Sequence, residues 1–341
     1  MANWVKYSLF LIFIIFITGT WTLEPISTAI GIGIASVVGG LGYNYEKVVD
    51  QTICRMTECC NDRWIVKNFT KLSLDLKEHV FGQPIVEEKV VQALKSHYEH
   101  IDSSKKPLVM TFHGTPGTGK NYVADFIVKA IYAKGLDSAF VHRFSGRTDF
   151  PIQAYVETYS AQIRDYIKKA ITTCSKAIFI FDEVDTMPSG VFDAITALLD
   201  HHTHVDNVNY REAVFIFLLN AGGVEIADKL YESYKSKKMT REDMKLYHFE
   251  SILESSAYNL QGGLKKSRPI EAGLIDHYVP FLPLEKPHII ECIRKEFQRL
   301  RIKMTEHKKN EMLEYVTMDV KTNLFANNGC KRISKKAETF V

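Results

Sequence analysis

Apolar and polar positions divide the chain into three stretches. The first is almost unbroken hydrocarbon. Lys6 precedes the run Leu9 to Ile17, and Thr18, Gly19 and Thr20 follow, the order of a signal peptide's charged, apolar and cleavage regions. Nine strongly apolar residues fall short of the roughly 20 that span a bilayer, so residues 1–20 read as a signal peptide, with an uncleaved anchor as the alternative. A second uncharged stretch, Ile26 to Gly42, carries five glycines. Seventeen helical residues would reach only about 25 Å against a ~30 Å hydrocarbon core. Residues 21–45 therefore read as a segment lying in one leaflet, with a tight span as the alternative.

After a cysteine-containing linker over residues 46–70, the period changes. Apolar residues recur at helical spacing over 70–80 and 84–100, with Pro84 placed to open the second helix. Pro107–Phe112 is a short apolar run that ends in a glycine loop. Lys120 to Tyr132 is amphipathic, with Val123, Phe126, Ile127, Ala130 and Ile131 on one face. Strand patterns at Ala139–Phe144, Ala177–Phe181, Ala213–Leu219 and Tyr278–Phe281 alternate with helical patterns such as 154–172. That alternation predicts an α/β fold, a parallel sheet flanked by helices, over residues 71–284. The stretch 228–268 is charged and rich in Tyr and Lys, and is expected to be an exposed excursion. The third stretch, 285–341, is mostly helical in pattern and is expected to form a small lid.

Composition narrows the partners. The chain has 43 basic and 40 acidic residues, a net charge of +3, which gives no case for a nucleic-acid groove. Six cysteines, Cys54, Cys59, Cys60, Cys174, Cys292 and Cys330, include no Cys-x-x-Cys pair and do not space with histidines as zinc ligands. Behind a signal peptide, some of them should be paired. Asn68-Phe69-Thr70 is an N-glycosylation acceptor, which agrees with that route.

The chemistry sits where strands give way to loops. Residues 112–121 read FHGTPGTGKN, so Gly114, Gly119 and Lys120 keep the spacing G-x-x-x-x-G-K of a phosphate-binding loop. Backbone amides of Gly114, Thr115, Pro116, Gly117, Thr118 and Gly119, proline lacking its own, surround the place of the phosphates. Lys120 would reach the β- and γ-phosphates of ATP. Asn121 stands where a Ser or Thr hydroxyl ordinarily ligates Mg²⁺, which leaves its metal role open. Sixty-two residues after Lys120, Ile178-Phe179-Ile180-Phe181 ends in Asp182-Glu183. Asp182 would hold Mg²⁺, directly or through water, and Glu183 would polarise the attacking water. Asn220 ends the next strand and is placed to orient that water.

These motifs, with Phe81-Gly82-Gln83 upstream and a helical tail downstream, resemble an AAA+ ATPase of the Clp type. Within that class the chain resembles the torsin family. The resemblance rests on Gly119-Lys120-Asn121, on Phe179 to Glu183, on Phe217 to Gly222 and on Val279 to Leu284. Cys54 to Cys60 and Gly329-Cys330-Lys331 add to it. It covers roughly residues 20–341. It implies an ATPase with chaperone-like remodelling activity on proteins or membranes in the endoplasmic reticulum lumen and perinuclear space, held at the membrane surface. It implies that Lys331 contacts the γ-phosphate region and that Cys292 pairs with Cys330. A second bridge would join Cys174 to Cys54, Cys59 or Cys60, a choice that sequence leaves open. It also implies a homo- or hetero-oligomer and a membrane-protein activator whose AAA-like luminal domain supplies an arginine. None of Arg211, Arg241 and Arg268, the arginines between the acidic strand and the last strand, lies in an identifiable finger motif. Ser145 to Tyr159 lacks the Gly-aromatic-hydrophobic-Gly loop of threading unfoldases, though Phe150 and Tyr155 are candidate contacts. A binding switch with incidental hydrolysis and a Clp-like unfoldase are the competing readings.

Overall fold

The computed structural model describes residues 53–202, 204–259 and 261–341. The two N-terminal apolar segments, and with them the signal-peptide and leaflet readings, lie outside the described residues. Contacts divide the chain into Met1–Thr57 and Glu58–Val341. Of the first unit, the described residues form a single short turn of helix, Ile53–Arg55.

The second unit is built on five parallel strands: β1 (Leu108–His113), β2 (Val141–Ser145), β3 (Ile178–Asp182), β4 (Val214–Leu219) and β5 (His277–Pro280). Their spatial order is β2-β3-β4-β1-β5. β1, β4 and most of β3 are buried along their length, because parallel strands joined by helical crossovers are covered on both faces. Side chains alternate between two apolar layers. Phe179, Phe181, Phe215 and Phe217 point into one, and Ile178, Ile180, Val214, Ile216 and Leu218 into the other. Register places Phe144, Phe181 and Phe217 side by side on three strands. Their rings stack at 5.0 and 5.1 Å between centroids. Each such aromatic pair adds roughly 0.5–1.5 kcal/mol beyond the area it buries.

Helices α1 (Phe69–His79), α2 (Pro84–Glu99) and α3 (Lys120–Ile131) cover the aliphatic face. Asn68 caps α1 by accepting from the Lys71 amide at 2.9 Å, and Pro84 opens α2. Helix α4 (Val156–Thr173) covers the aromatic face through Ile163, Ile167 and Ile171. Cys174, at its C-cap, is bonded to Cys60, which settles the choice among three cysteines. Cys54 and Cys59 are also oxidised.

The stretch 228–268 is not the exposed excursion its composition suggests. It holds the end of α5 (Gly223–Lys235) and all of α6 (Glu250–Asn259). Leu230, Met244, Leu246, Phe249, Leu253, Ala257 and Leu264 are buried in the aromatic layer. Leu246, Phe249, Leu253 and Ala257 recur every three or four residues, a stripe outnumbered but not interrupted by charged neighbours.

The C-terminal portion is helical: α7 (Lys286–Arg299), α8 (Glu306–Glu314) and α9 (Ile333–Ala337) enclose their own core around Ile289, Ile293, Phe297, Met312 and Ile333. The Cys292–Cys330 bridge ties α7 to the segment before α9. Among the described residues, no helix is long and apolar enough to cross a membrane.

Candidate nucleotide site

In the order β2-β3-β4-β1-β5, the chain leaves β1 in one direction and returns to its other side with β5. Ligands of open parallel sheets bind beyond the C-terminal strand ends at such a reversal. The loop after β1 lies there. Gly119 takes φ +105°, and a Cβ added to it would meet nothing within 4 Å. A left-handed residue that faces open space at the first turn of α3 forms a cradle for an anion, and only glycine adopts it without strain. The Thr115 hydroxyl is buried there without a partner. Gln83, from Phe81-Gly82-Gln83, braces the loop from behind. It donates to Thr118 O and Leu282 O and accepts from the Leu282 amide.

Lys120 turns its ammonium back over this cradle. It donates to Gly114 O, to Thr115 O at 3.2 Å and to Asn220 Oδ1 at 3.1 Å. Burial pulls its pKa down from 10.5 to about 8; Asp185 and Asp182 oppose the shift and Lys331 adds to it. Two cations thus converge on one place, an arrangement that a polyphosphate would neutralise.

The acidic pair divides its work. Asp182, ending β3, accepts the Glu183 amide on Oδ1 at 2.8 Å and the Asn121 side-chain amide on Oδ2 at 2.7 Å. Asn121 therefore meets the carboxylate expected to hold Mg²⁺ with its nitrogen and turns its oxygen elsewhere. The fit to Mg²⁺ is one of donor chemistry: an oxygen set that one carboxylate and phosphates complete suits a hard cation. No protein-only cluster of metal ligands occurs among the described residues. Glu183 takes φ +54°, a strained conformation for a residue with a side chain. Its carboxylate pairs with Arg147 Nε at 3.0 Å and lies 3.4 Å from the Ser145 hydroxyl.

Asn220 follows β4, the strand beside β3, and its backbone amide donates to Asp185, three residues beyond Asp182. Lys331 arrives from the C-terminal helices. The Cys330 amide donates to Gly117 O at 3.1 Å, and Gly329 packs so closely on Gly117 that a Cβ would stand 2.2 Å from that oxygen.

Sequence reasoning did not single out Arg147, Asp185 or His113. Asp185 carried a faint signal, as the second acid of Asp182-Glu183-Val184-Asp185, and Arg147 and His113 carried none. Phe150 is buried, which removes it as a threading contact, whereas Tyr155 is exposed. Arg241 is buried too, donating to Gly82 O and Pro283 O and pairing with Glu285.

A Torsin family profile matches residues 54–181. A Drosophila melanogaster protein described as "Torsin-like protein" is 42% identical over 292 residues, covering 84% of this chain and 86% of its own length. This chain belongs to the torsin family. A Caenorhabditis elegans "Torsin-like protein" is 36% identical over 293 residues, covering 85% of this chain and 82% of that protein. Among solved structures, the S. cerevisiae Hsp104–ADP complex superposes with a TM-score of 0.55 at 14% identity, over 91% of this chain and 53% of the Hsp104 chain. At that identity the likeness is one of fold. This torsin shares that fold: a parallel five-stranded sheet, flanking helices and a helical C-terminal portion.

Proposed function

We propose that this torsin is an ATPase of the secretory-pathway lumen that remodels proteins or membranes and turns over slowly until an activator completes its site. The reading is carried by the convergence of Lys120, Asp182, Glu183 and Asn220 at the C-terminal ends of three adjacent strands, with Lys331 beside them. The loop from Gly114 to Gly119 and Lys120 would hold the phosphates, and Lys331 the γ-phosphate region. Mg²⁺, held by Asp182 directly or through water and by the phosphates, would offset charge on the transferred group. Glu183 would take a proton from water as that water attacks the γ-phosphorus. The bond to the bridging oxygen breaks, ADP and phosphate leave, and the proton passes to solvent. Asn220 would orient the water.

The need for an activator is supported by the arginines. Arg211 bonds Ser104 O and Asn209, and Arg241 is buried in an ion pair, so neither is free to serve a neighbouring subunit; Arg268 is exposed but lies in no identifiable finger motif. Arg147, the arginine bound to Glu183, occupies the general base rather than the phosphate side. An arginine brought by a partner's AAA-like luminal domain is the remaining part. Location in the endoplasmic reticulum lumen and perinuclear space is supported by the oxidised cysteines and the exposed Asn68 sequon. The N-terminal apolar segments would hold the protein at the membrane, and homo- or hetero-oligomers are expected. A threading mechanism loses support from the burial of Phe150.

Single-turnover hydrolysis of ATP, with enzyme in excess, tests the proposal. Glu183→Gln should bind ATP as tightly as the native chain and hydrolyse it at least about a hundredfold more slowly. Unchanged turnover would refute the assignment. Comparing rates with and without the activator's luminal domain separates an activated ATPase from a binding switch, whose rate would not respond.

A further inference from the structure

The turn Asn220-Ala221-Gly222-Gly223 is gripped from two sides, by Asp185 and by His113. Asp185 accepts the amides of Asn220 and Ala221, the latter at 2.9 Å, one on each carboxylate oxygen. His113, the last residue of β1, has Nδ1 3.0 Å from Ala221 O. A carbonyl only accepts, so Nδ1 carries the proton and the buried Nε2 is left bare without a partner. Burial holds the His113 pKa down to about 4, so the ring is neutral and this donor persists at physiological pH.

Both grips are themselves anchored. Asp185 lies in the short helical turn Val184–Thr186 directly after Glu183. Gly262 packs so closely on it that a Cβ there would come within 2.7 Å of the Asp185 Cα. His113 is joined in register to Leu219, and its own carbonyl accepts the Phe281 amide at 2.6 Å. Gly223, at the far end of the turn, packs on the phosphate loop, 2.8 Å from Thr115 N if a Cβ is built.

We propose that Asp185 and His113 are positioning residues, which fix the Asn220 turn against the phosphate loop so that the Asn220 amide and the Lys120 ammonium keep one mutual geometry. The inference rests on the ATPase reading above, since the duty of Asn220 is owed to the nucleotide. A carboxylate with two backbone amides is a charge-assisted clamp, and it fixes the peptide plane that aims the side chain. Freed of it, Asn220 drifts from the water while the phosphate cradle stays intact. Displacements of about 1 Å in such groups cost up to ~10²-fold in rate.

The experiment uses the full chain, ATP and Mg²⁺, with affinity from a fluorescent ATP analogue and rate from single turnover. Asp185→Asn keeps one acceptor but sets its NH₂ group against the second backbone amide. It should lower the rate about tenfold or more while the dissociation constant stays within about twofold. At position 113 the donor and the ring volume are separable. Asn places an N–H where imidazole Nδ1–H stands but lacks the ring, whereas Phe fills the space and cannot donate. His113→Phe should turn over about tenfold more slowly than His113→Asn. A packing role would reverse that order and would overturn the inference. So would an Asp185→Asn variant that keeps the native rate, or one that loses affinity as much as rate. Glu183→Gln runs alongside. If it leaves the rate unchanged, the ATPase reading has failed; if it abolishes turnover while Asp185→Asn and His113→Phe match the native chain, only the positioning inference has.

Discussion

Asn121 donates its side-chain amide to Asp182 across 2.7 Å, so the unusual residue of the phosphate loop binds the residue expected to hold the metal. With the Glu183 amide on the other oxygen, both Asp182 oxygens are engaged. A cation at Asp182 competes with a hydrogen bond to a charged group, a bond of about 1.5–3 kcal/mol. Asn121→Ser removes that competitor and supplies a hydroxyl. The Mg²⁺ concentration at which ATP binding is half-restored should fall roughly tenfold, the smaller end of that range. A Mg²⁺ titration of ATP binding checks it, and an unmoved midpoint would show that Asn121 does not compete.

Arg147 pairs with Glu183 at 3.0 Å and restrains the expected general base. Arg147→Ala should raise basal single-turnover hydrolysis by up to about fivefold, the factor matching the ~1 kcal/mol ceiling of exposed ion pairs. Because salt screens such pairs, the native chain should gain basal rate with ionic strength and the variant should not.

The pH response follows from Lys120, whose pKa burial lowers from 10.5 to about 8. Between those values the unfolded chain binds more protons at this group than the folded one. The Lys120 contribution to stability therefore rises as pH increases through that window. ATP affinity should move the other way, falling as the ammonium deprotonates above about pH 8. Thermal denaturation with and without ATP across this range would show the two trends diverge. Lys120→Met should flatten both and raise the melting temperature without nucleotide at neutral pH.

The Cys292–Cys330 bridge holds the Gly329-Cys330-Lys331 loop whose amide reaches Gly117 O. Cutting it should let Lys331 withdraw from Lys120 and the loop Gly114–Gly119, where the phosphates are proposed to bind. Cys292→Ser should weaken ATP binding severalfold while leaving the sheet intact, as read by affinity and far-ultraviolet dichroism. Equal affinity would exclude redox control of the lid.

Asn68 serves two ends. Its Oδ1 caps α1, while its nitrogen is the atom a glycan would take. Asn68→Gln and Thr70→Ala should both abolish a glycosidase-sensitive mobility shift. Only Asn68→Gln should also cost about 1 kcal/mol in chemical denaturation, for loss of the cap.

Much of the frame was legible along the chain. The five runs became the five strands, displaced by a residue or two at their ends. The central strands β1, β3 and β4 are the clearest, because a strand buried on both faces has few polar positions to disguise it, whereas the edge strand β2 carries His142 and Arg143. The loop Gly114–Lys120 and the Asp182-Glu183 pair stood out as motifs because the phosphate and metal chemistry proposed for them demands fixed residue types at fixed spacing. The stretch 228–268 was misread because charge density hid a helical stripe that only burial in the aromatic layer reveals.

The sequence by itself determined the strands, the glycine loop Gly114–Lys120, the Asp182-Glu183 pair, the resemblance to torsins and, through that resemblance, the expected Cys292–Cys330 bridge. Only the tertiary structure decided that Cys60 is the partner of Cys174, that Asn121 faces Asp182 with its nitrogen, that Arg147 holds Glu183, and that Asp185 and His113 grip the turn at Asn220. Each of these joins residues from separate elements. Local propensity and spacing fix what an element is, whereas the partner a polar group meets depends on sheet order and on which groups burial leaves to satisfy one another.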